Sequence, residues 1–130
     1  MDNAAILRRA VDELWNVGRL DEYMDIYTAD AELQPRARFP DLGPRITGRE
    51  AIRTFLAGIN APVTWGESQT VGDKVVASFT WDTGAAGGSP SWTLVYTFRD
   101  GKVVLAQYFQ DRLDALCAAG FDTVGADELA

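Results

Sequence analysis

The apolar residues of this chain change period once. From residue 62 onward they alternate, and before it they recur at helical spacing in three separate runs. Residues 4–17, AAILRRAVDELWNV, set Leu7, Val11, Leu14 and Trp15 on one helical face, and Gly18 is a natural stop. Residues 20–28 place Leu20, Tyr23, Met24 and Tyr27 on one side of a second short helix, opposite Asp21, Glu22 and Asp25. A short strand, ADAELQP, leaves this pair of helices, and a loop rich in Pro, Gly and Arg follows, PRARFPDLGPR. Thr47-Gly-Arg-Glu50 reads as a capping box that opens a third helix. Ala51, Ile52, Phe55, Leu56 and Ile59 form that helix's apolar face.

Four strands are expected after the change of period: VTWGESQTV, KVVASFTWDTG, SWTLVYTFR and KVVLAQYFQ. Turn signals separate them at Gly72-Asp73, Gly84 to Pro90 and Asp100-Gly101, the last a good two-residue hairpin. A helical turn, RLDALCAAG, and a polar tail over 121–130 close the chain. Helices segregated from a meandering sheet give an α+β fold. At 130 residues a single domain is expected, with its core over about 4–120.

Charge and residue usage exclude whole classes of chemistry. The net charge is −7 with no basic stripe, which argues against nucleic acid as a partner. The apolar runs fall far short of the ~20 residues that cross a bilayer, and MDNAAILRRA lacks the basic start and apolar core of a secretory signal. No membrane association and a cytoplasmic location are the expectation. Cys117, the single cysteine, sits in an apolar helical stretch and is expected to be buried. The chain contains no histidine. That removes Ser-His and Cys-His nucleophiles and nearly every zinc or non-haem iron site, so no metal or cofactor is expected.

The ordered set GRLDEYMDIYTADAEL, TGREAIRTFL, GDKVVASF and YTFRDGKVVLAQYFQDRLDALCAAG resembles the nuclear transport factor 2-like superfamily. Within it the chain is most similar to the SnoaL-like group. The resemblance implies a cone-shaped α+β barrel, three N-terminal helices packed in the concavity of a strongly curved mixed or antiparallel sheet. It also implies a deep apolar cavity and a homodimer. The group includes polyketide cyclases, ketosteroid isomerase, limonene epoxide hydrolase and scytalone dehydratase, beside modules with no chemistry, so the fold does not settle the function.

None of these machineries carries over residue by residue. The acid/base aspartate of the cyclases, seven residues after the Gly-Lys turn, corresponds to Tyr108, and its partner histidine to Leu94. The three positions of the ketosteroid isomerase site fall near Val11, Gln34-Pro35 and Leu94-Val95. Asp111 lies three residues past the cyclase position and directly before a helical run, which makes it an N-cap.

With the strand faces set by the resemblance, Val104, Ala106, Tyr108 and Gln110 share the cavity side of the last strand. Trp92, Leu94, Tyr96 and Phe98 do so on its neighbour, and Trp15 and Phe55 complete the expected lining from the helices. Tyr108 and Tyr96 are the candidates to orient or polarise an oxygen. Asp82 and Glu32 are the candidate bases, and Arg36, Arg38 and Arg45 a candidate cationic rim. The expected ligand is a small apolar or aromatic molecule. Two functions stand side by side: a cofactor-free isomerase, cyclase or dehydratase, and a non-catalytic ligand-binding or dimeric interaction module.

Overall fold

The computed structural model describes residues 2–35, 43, 45–59, 61–82 and 90–120. Helix α1 spans Asn3–Glu13 and runs into a 3-10 turn at Trp15–Val17, stopped by Gly18 in the left-handed region (φ 80°). The Asp2 carboxylate caps α1 by accepting from the Ala5 amide at 2.8 Å. The second helix is shorter than its apolar face suggests. Helix α2 covers Leu20–Tyr23, a 3-10 turn covers Met24–Ile26, and strand β1 begins already at Tyr27 and ends at Gln34.

The capping box does not form. Thr47 belongs to strand β2 (Ile46–Thr47), where it pairs with Glu32, so helix α3 (Arg49–Ala57) starts from Gly48 with no side-chain cap. Gly48 takes that place at φ 96° and donates its amide to the Ala31 carbonyl at 2.8 Å. The requirement of strand pairing outweighs a local cap.

Strands β3 (Val63–Val71), β4 (Lys74–Trp81), β5 (Ser91–Arg99) and β6 (Lys102–Phe109) form the expected antiparallel meander. The hairpin from β5 to β6 turns on Asp100 and Gly101, both at positive φ (53° and 78°), as a two-residue turn requires. Beside β6 lies β1 in parallel, and the sheet order is β2-β1-β6-β5-β4-β3. The sheet is curved and not closed. Register shifts in the β1–β6, β3–β4 and β5–β6 pairs let it bend.

The helices pack into the concave face. Leu7, Val11 and Trp15 from the first helical unit and Ile52 and Leu56 from α3 meet Val75, Ala77, Phe79, Tyr96 and Tyr108 from the sheet in one core. The bulge opposite Thr97–Phe98 changes the expected face of β6. Val103, not Val104, joins the core with Ala106 and Tyr108. Helix α4 (Arg112–Ala118) covers part of the convex face, where Ala115 and Ala119 pack with Val76 and Val95. Cys117 is therefore exposed rather than buried, because it points away from the α4 face that meets the sheet. Among the described residues no helix is long and apolar enough to cross a membrane.

Asp111 caps α4 by accepting from the Leu113 amide at 2.8 Å. Replacing it with Ala is expected to lower unfolding stability by about 1 kcal/mol in urea, while Asp111→Asn stays near the parent. An unchanged midpoint for Asp111→Ala would contradict the capping role.

Candidate functional site

Side chains alternate across each strand, so the concave wall is a repeating aromatic set: Phe79 and Trp81 from β4, Leu94 and Tyr96 from β5, Tyr108 from β6. Tyr27 and Leu33 of β1 continue it, and the helical layer closes it with Val11, Trp15, Tyr23 and Leu56. The chain has four tyrosines, and all four line this one cavity. No lining residue among those described carries a formal charge.

The rings hold one another in place. Trp15 meets Tyr23 edge-on with centroids 5.2 Å apart, and Tyr23 meets Tyr27 in the same way at 5.7 Å. Phe79 stands edge-on to Tyr96 at 6.4 Å, and Trp81 lies tilted against Tyr108 at 6.4 Å. The hydroxyls of Tyr23 and Tyr27 are 3.2 Å apart, within hydrogen-bonding reach. Removal from water favours the neutral phenol, so burial raises Tyr23 above the ordinary phenol value and Tyr27 and Tyr96 well above it. These three are hydrogen-bond donors and acceptors at neutral pH and are not bases.

The cavity is narrow. The centre of a water molecule can move through ≈ 30 Å³ of it, room for about two waters. The unfilled space between the lining side chains, counted out to open solvent, is ≈ 380 Å³.

Of the residues expected at the site, Tyr108, Tyr96, Leu94 and Trp15 line the cavity. Ala106 is fully buried in the same core, and Phe55 and Trp92 pack half-buried against it, but none of the three is part of the lining. Gln110 follows the end of β6 and is exposed. Neither candidate base faces the cavity. Glu32 alternates with the inward-facing Ala31 and Leu33, so it projects from the convex side, where it accepts from Gln34 Nε2 at 2.8 Å. Arg45, exposed, lies 3.9 Å from it. Asp82 is exposed just past β4, following the outward set in which Ser78 bonds Thr93 and Thr80 bonds Ser91. Arg36 and Arg38 lie outside the described residues.

The sequence reading missed Tyr23, Tyr27, Phe79 and Trp81 as lining residues. A signal for the first two was present: both sit on the apolar side of the second helical run, facing the same core as Tyr96 and Tyr108. Among the described residues, no group of His, Cys, Asp and Glu side chains could hold a metal ion.

Comparison with known proteins places this geometry. The model of the SnoaL-like domain matches residues 7–106. No curated protein matches the chain. Among solved structures, a putative polyketide cyclase from Sinorhizobium meliloti is 19% identical, with 81% of this chain and 94% of that one covered and a TM-score of 0.65. TerC co-crystallized with polyporic acid is 18% identical, covers 91% of this chain and 98% of its own, and has a TM-score of 0.66. A putative ketosteroid isomerase from Kribbella flavida is 18% identical over 82% of this chain and 76% of that one, with a TM-score of 0.67. At these identities the solved structures share the fold, while the family model spans most of the chain. The chain belongs to the SnoaL-like domain family.

Proposed function

We propose that this protein binds a small, flat, largely apolar or aromatic molecule through one of its oxygens, for cofactor-free isomerase- or cyclase-type chemistry. One observation carries the reading: every tyrosine of the chain converges on one uncharged, otherwise apolar cavity. Neutral phenols in a dry site donate to a carbonyl or a developing oxyanion, and such donors act more strongly there than in water. In this proposal Tyr108 and Tyr96 hold the ligand oxygen, while Trp15 and Trp81 take the ring faces. The putative cyclase and isomerase among the structural neighbours support the reaction class, and the polyporic acid of TerC supports an aromatic ligand. Because the free space admits only about two waters, a ring-sized ligand enters by displacing lining rings. With Glu32 and Asp82 outside the cavity, the phenols supply the acid side of the chemistry.

The same proposal has the protein working in the cytoplasm as a single-domain homodimer. The α4 helix covers Val76 and Val95, whereas Gln34, Leu105 and Gln107 stand half-buried on the convex face, with Gln107 donating to Gln34 at 3.0 Å. A second copy laid on this strip would cover it. Sedimentation velocity is expected to give twice the chain mass, and Leu105→Glu to give the monomer. A parent protein that sediments as a monomer at high concentration would end the dimer proposal.

Titration with polyporic acid is expected to quench the fluorescence of Trp15 and Trp81 saturably. A panel of naphthols and small enones, followed by NMR for new products, then separates catalysis from binding. An enzyme loses turnover in Tyr108→Phe and keeps its ligand, whereas a binding module shows only a change in affinity. No response from any of these molecules would overturn the ligand reading.

Stability should fall in alkali. Tyr23, Tyr27 and Tyr96 have raised folded-state pKa values, so the folded state holds protons that the unfolded chain releases above about pH 10. The contribution is fully present below that pH and is lost as pH rises beyond it. Ultraviolet titration should show tyrosinate appearing together with unfolding. Tyrosinate forming near pH 10 in a protein that remains folded would contradict it.

A further inference from the structure

A cavity with free space for about two waters cannot take a ring unless part of its wall yields, and the contacts say which part. Trp15 is held by the bond from its indole N–H to the Ala61 carbonyl, and its neighbour Asn16 is bonded twice to Val63. Tyr23 and Tyr27 stand edge-on to each other with their hydroxyls 3.2 Å apart. Phe79 lies inside β4, edge-on to Trp65, Trp81 and Tyr96 at 4.9, 5.9 and 6.4 Å. Tyr96 lies inside β5. Each of these rings is fixed by a hydrogen bond or by its place within a strand.

Trp81 is placed differently. It is the last residue of β4, its register partner Val63 is the first of β3, and Asp82 beyond it is exposed. The indole thus stands at the boundary between cavity and solvent. It reaches across β5 to Tyr108 on β6, with ring centroids 6.4 Å apart and planes inclined at 30°. The other described ring pairs stand at 62° to 87° and gain the attraction of a positive edge for a negative face. The Trp81–Tyr108 contact lacks it. The backbone below is pinned, since the Trp81 amide donates to the Pro90 carbonyl at 2.9 Å and the Asp82 amide to the Pro62 carbonyl at 2.8 Å. The indole can therefore turn about its own side-chain bonds while the strand stays paired.

We propose that the Trp81 indole is the door of the cavity: it swings away from Tyr108 to admit the ligand and closes on the outer face of the ligand's ring. This rests on the ligand reading above and adds a route and a ligand shape to it. The opening has the size of an indole and the closed ring lies against one. The ligand is therefore flat, of one or two fused rings, with its oxygen directed inward at the Tyr108 and Tyr96 hydroxyls. Entry requires the open form of the free protein, so apparent affinity falls with the fraction of molecules that are open.

The door can be followed without a ligand. Protein labelled with 5-fluorotryptophan carries four reporters, assigned by the four single Trp→Phe variants. Fluorine relaxation dispersion, which reads motion between microseconds and milliseconds, is expected to show exchange at Trp81 and none at Trp15. A Trp81 signal free of exchange, or a Trp15 signal that exchanges equally, overturns the door.

Binding kinetics add a second readout, with 2-naphthol as the probe and stopped-flow fluorescence as the measurement. In the parent protein the observed rate should level off as 2-naphthol rises, because opening limits it. In Trp81→Ala the levelling is lost, and association and dissociation both quicken by about tenfold or more, since a minor state holds only ~0.1–10% of the molecules. Trp81→Leu carries the same test if the Ala variant does not fold, and Trp65→Phe, outside the lining, should match the parent. Decahydro-2-naphthol, the same skeleton with puckered rings, should bind the parent about tenfold more weakly for want of a flat face. Trp81 variants that bind no faster than the parent, or equal affinity for the two alcohols, refute the proposal. If 2-naphthol binds neither parent nor variant, the ligand reading falls, and the fluorine exchange still decides whether Trp81 opens.

Discussion

Two consecutive side chains at the end of the first helical unit decide how the helical layer sits on the sheet. Trp15 donates its indole N–H to the Ala61 carbonyl. Asn16 uses its amide as a strand would, donating to the Val63 carbonyl at 3.0 Å and accepting from the Val63 amide at 2.8 Å. These bonds span more than forty residues of sequence and tie the approach to β3 beneath the helix. Without them the ring series from Trp15 through Tyr23 to Tyr27 would have no fixed end. They satisfy partly buried backbone groups at Ala61 and Val63.

From this anchor the character of the cavity follows. A pocket walled by alternate residues of a curved sheet and roofed by helices takes its chemistry from whichever side chains the pleat turns inward. Here those are aromatic, and the carboxylates nearby in sequence are turned out. Glu32 and Asp82 are each one residue removed from inward-facing neighbours, Leu33 and Trp81. A shift of a single residue in either strand would exchange them. The absence of charge from the described lining is therefore a consequence of register.

Period and turn chemistry in the sequence made most of the fold legible. The four meander strands, the two-residue turn at Asp100-Gly101 and the cap at Asp111 are local features, and local features survive into the structure. What failed was where a distant partner intervened. Thr47 was drawn from its cap by pairing with Glu32, Tyr27 from its helix by pairing with Val103, and Val104 from the cavity by a bulge against β5. The site was legible to the extent that it lies on β5 and β6, where alternation groups Leu94 with Tyr96 and Tyr108 with Ala106, and the resemblance chose the inward face. Phe79 required knowledge of which surfaces face each other, which no single-strand pattern contains, whereas Tyr23 already stood on the apolar side of its helical run.

The two positions where cyclases of this kind hold an aspartate and a histidine deserve to be considered together. By the resemblance these positions fall on Tyr108 and Leu94, which are register partners across β6 and β5 and both line the cavity. A carboxylate at 108 facing Leu94 would be buried without its partner, and an unpaired buried charge costs several kcal/mol, about 3–5 when one member of a pair is removed. With neither member present, that cost does not arise. A phenol at 108 needs only hydrogen bonds, and its neighbours in the cavity are phenols and indoles that can supply them. Under the proposed reading, a cavity walled by phenols and indoles recognises an oxygen by donated hydrogen bonds, and none of its described lining residues is ionised.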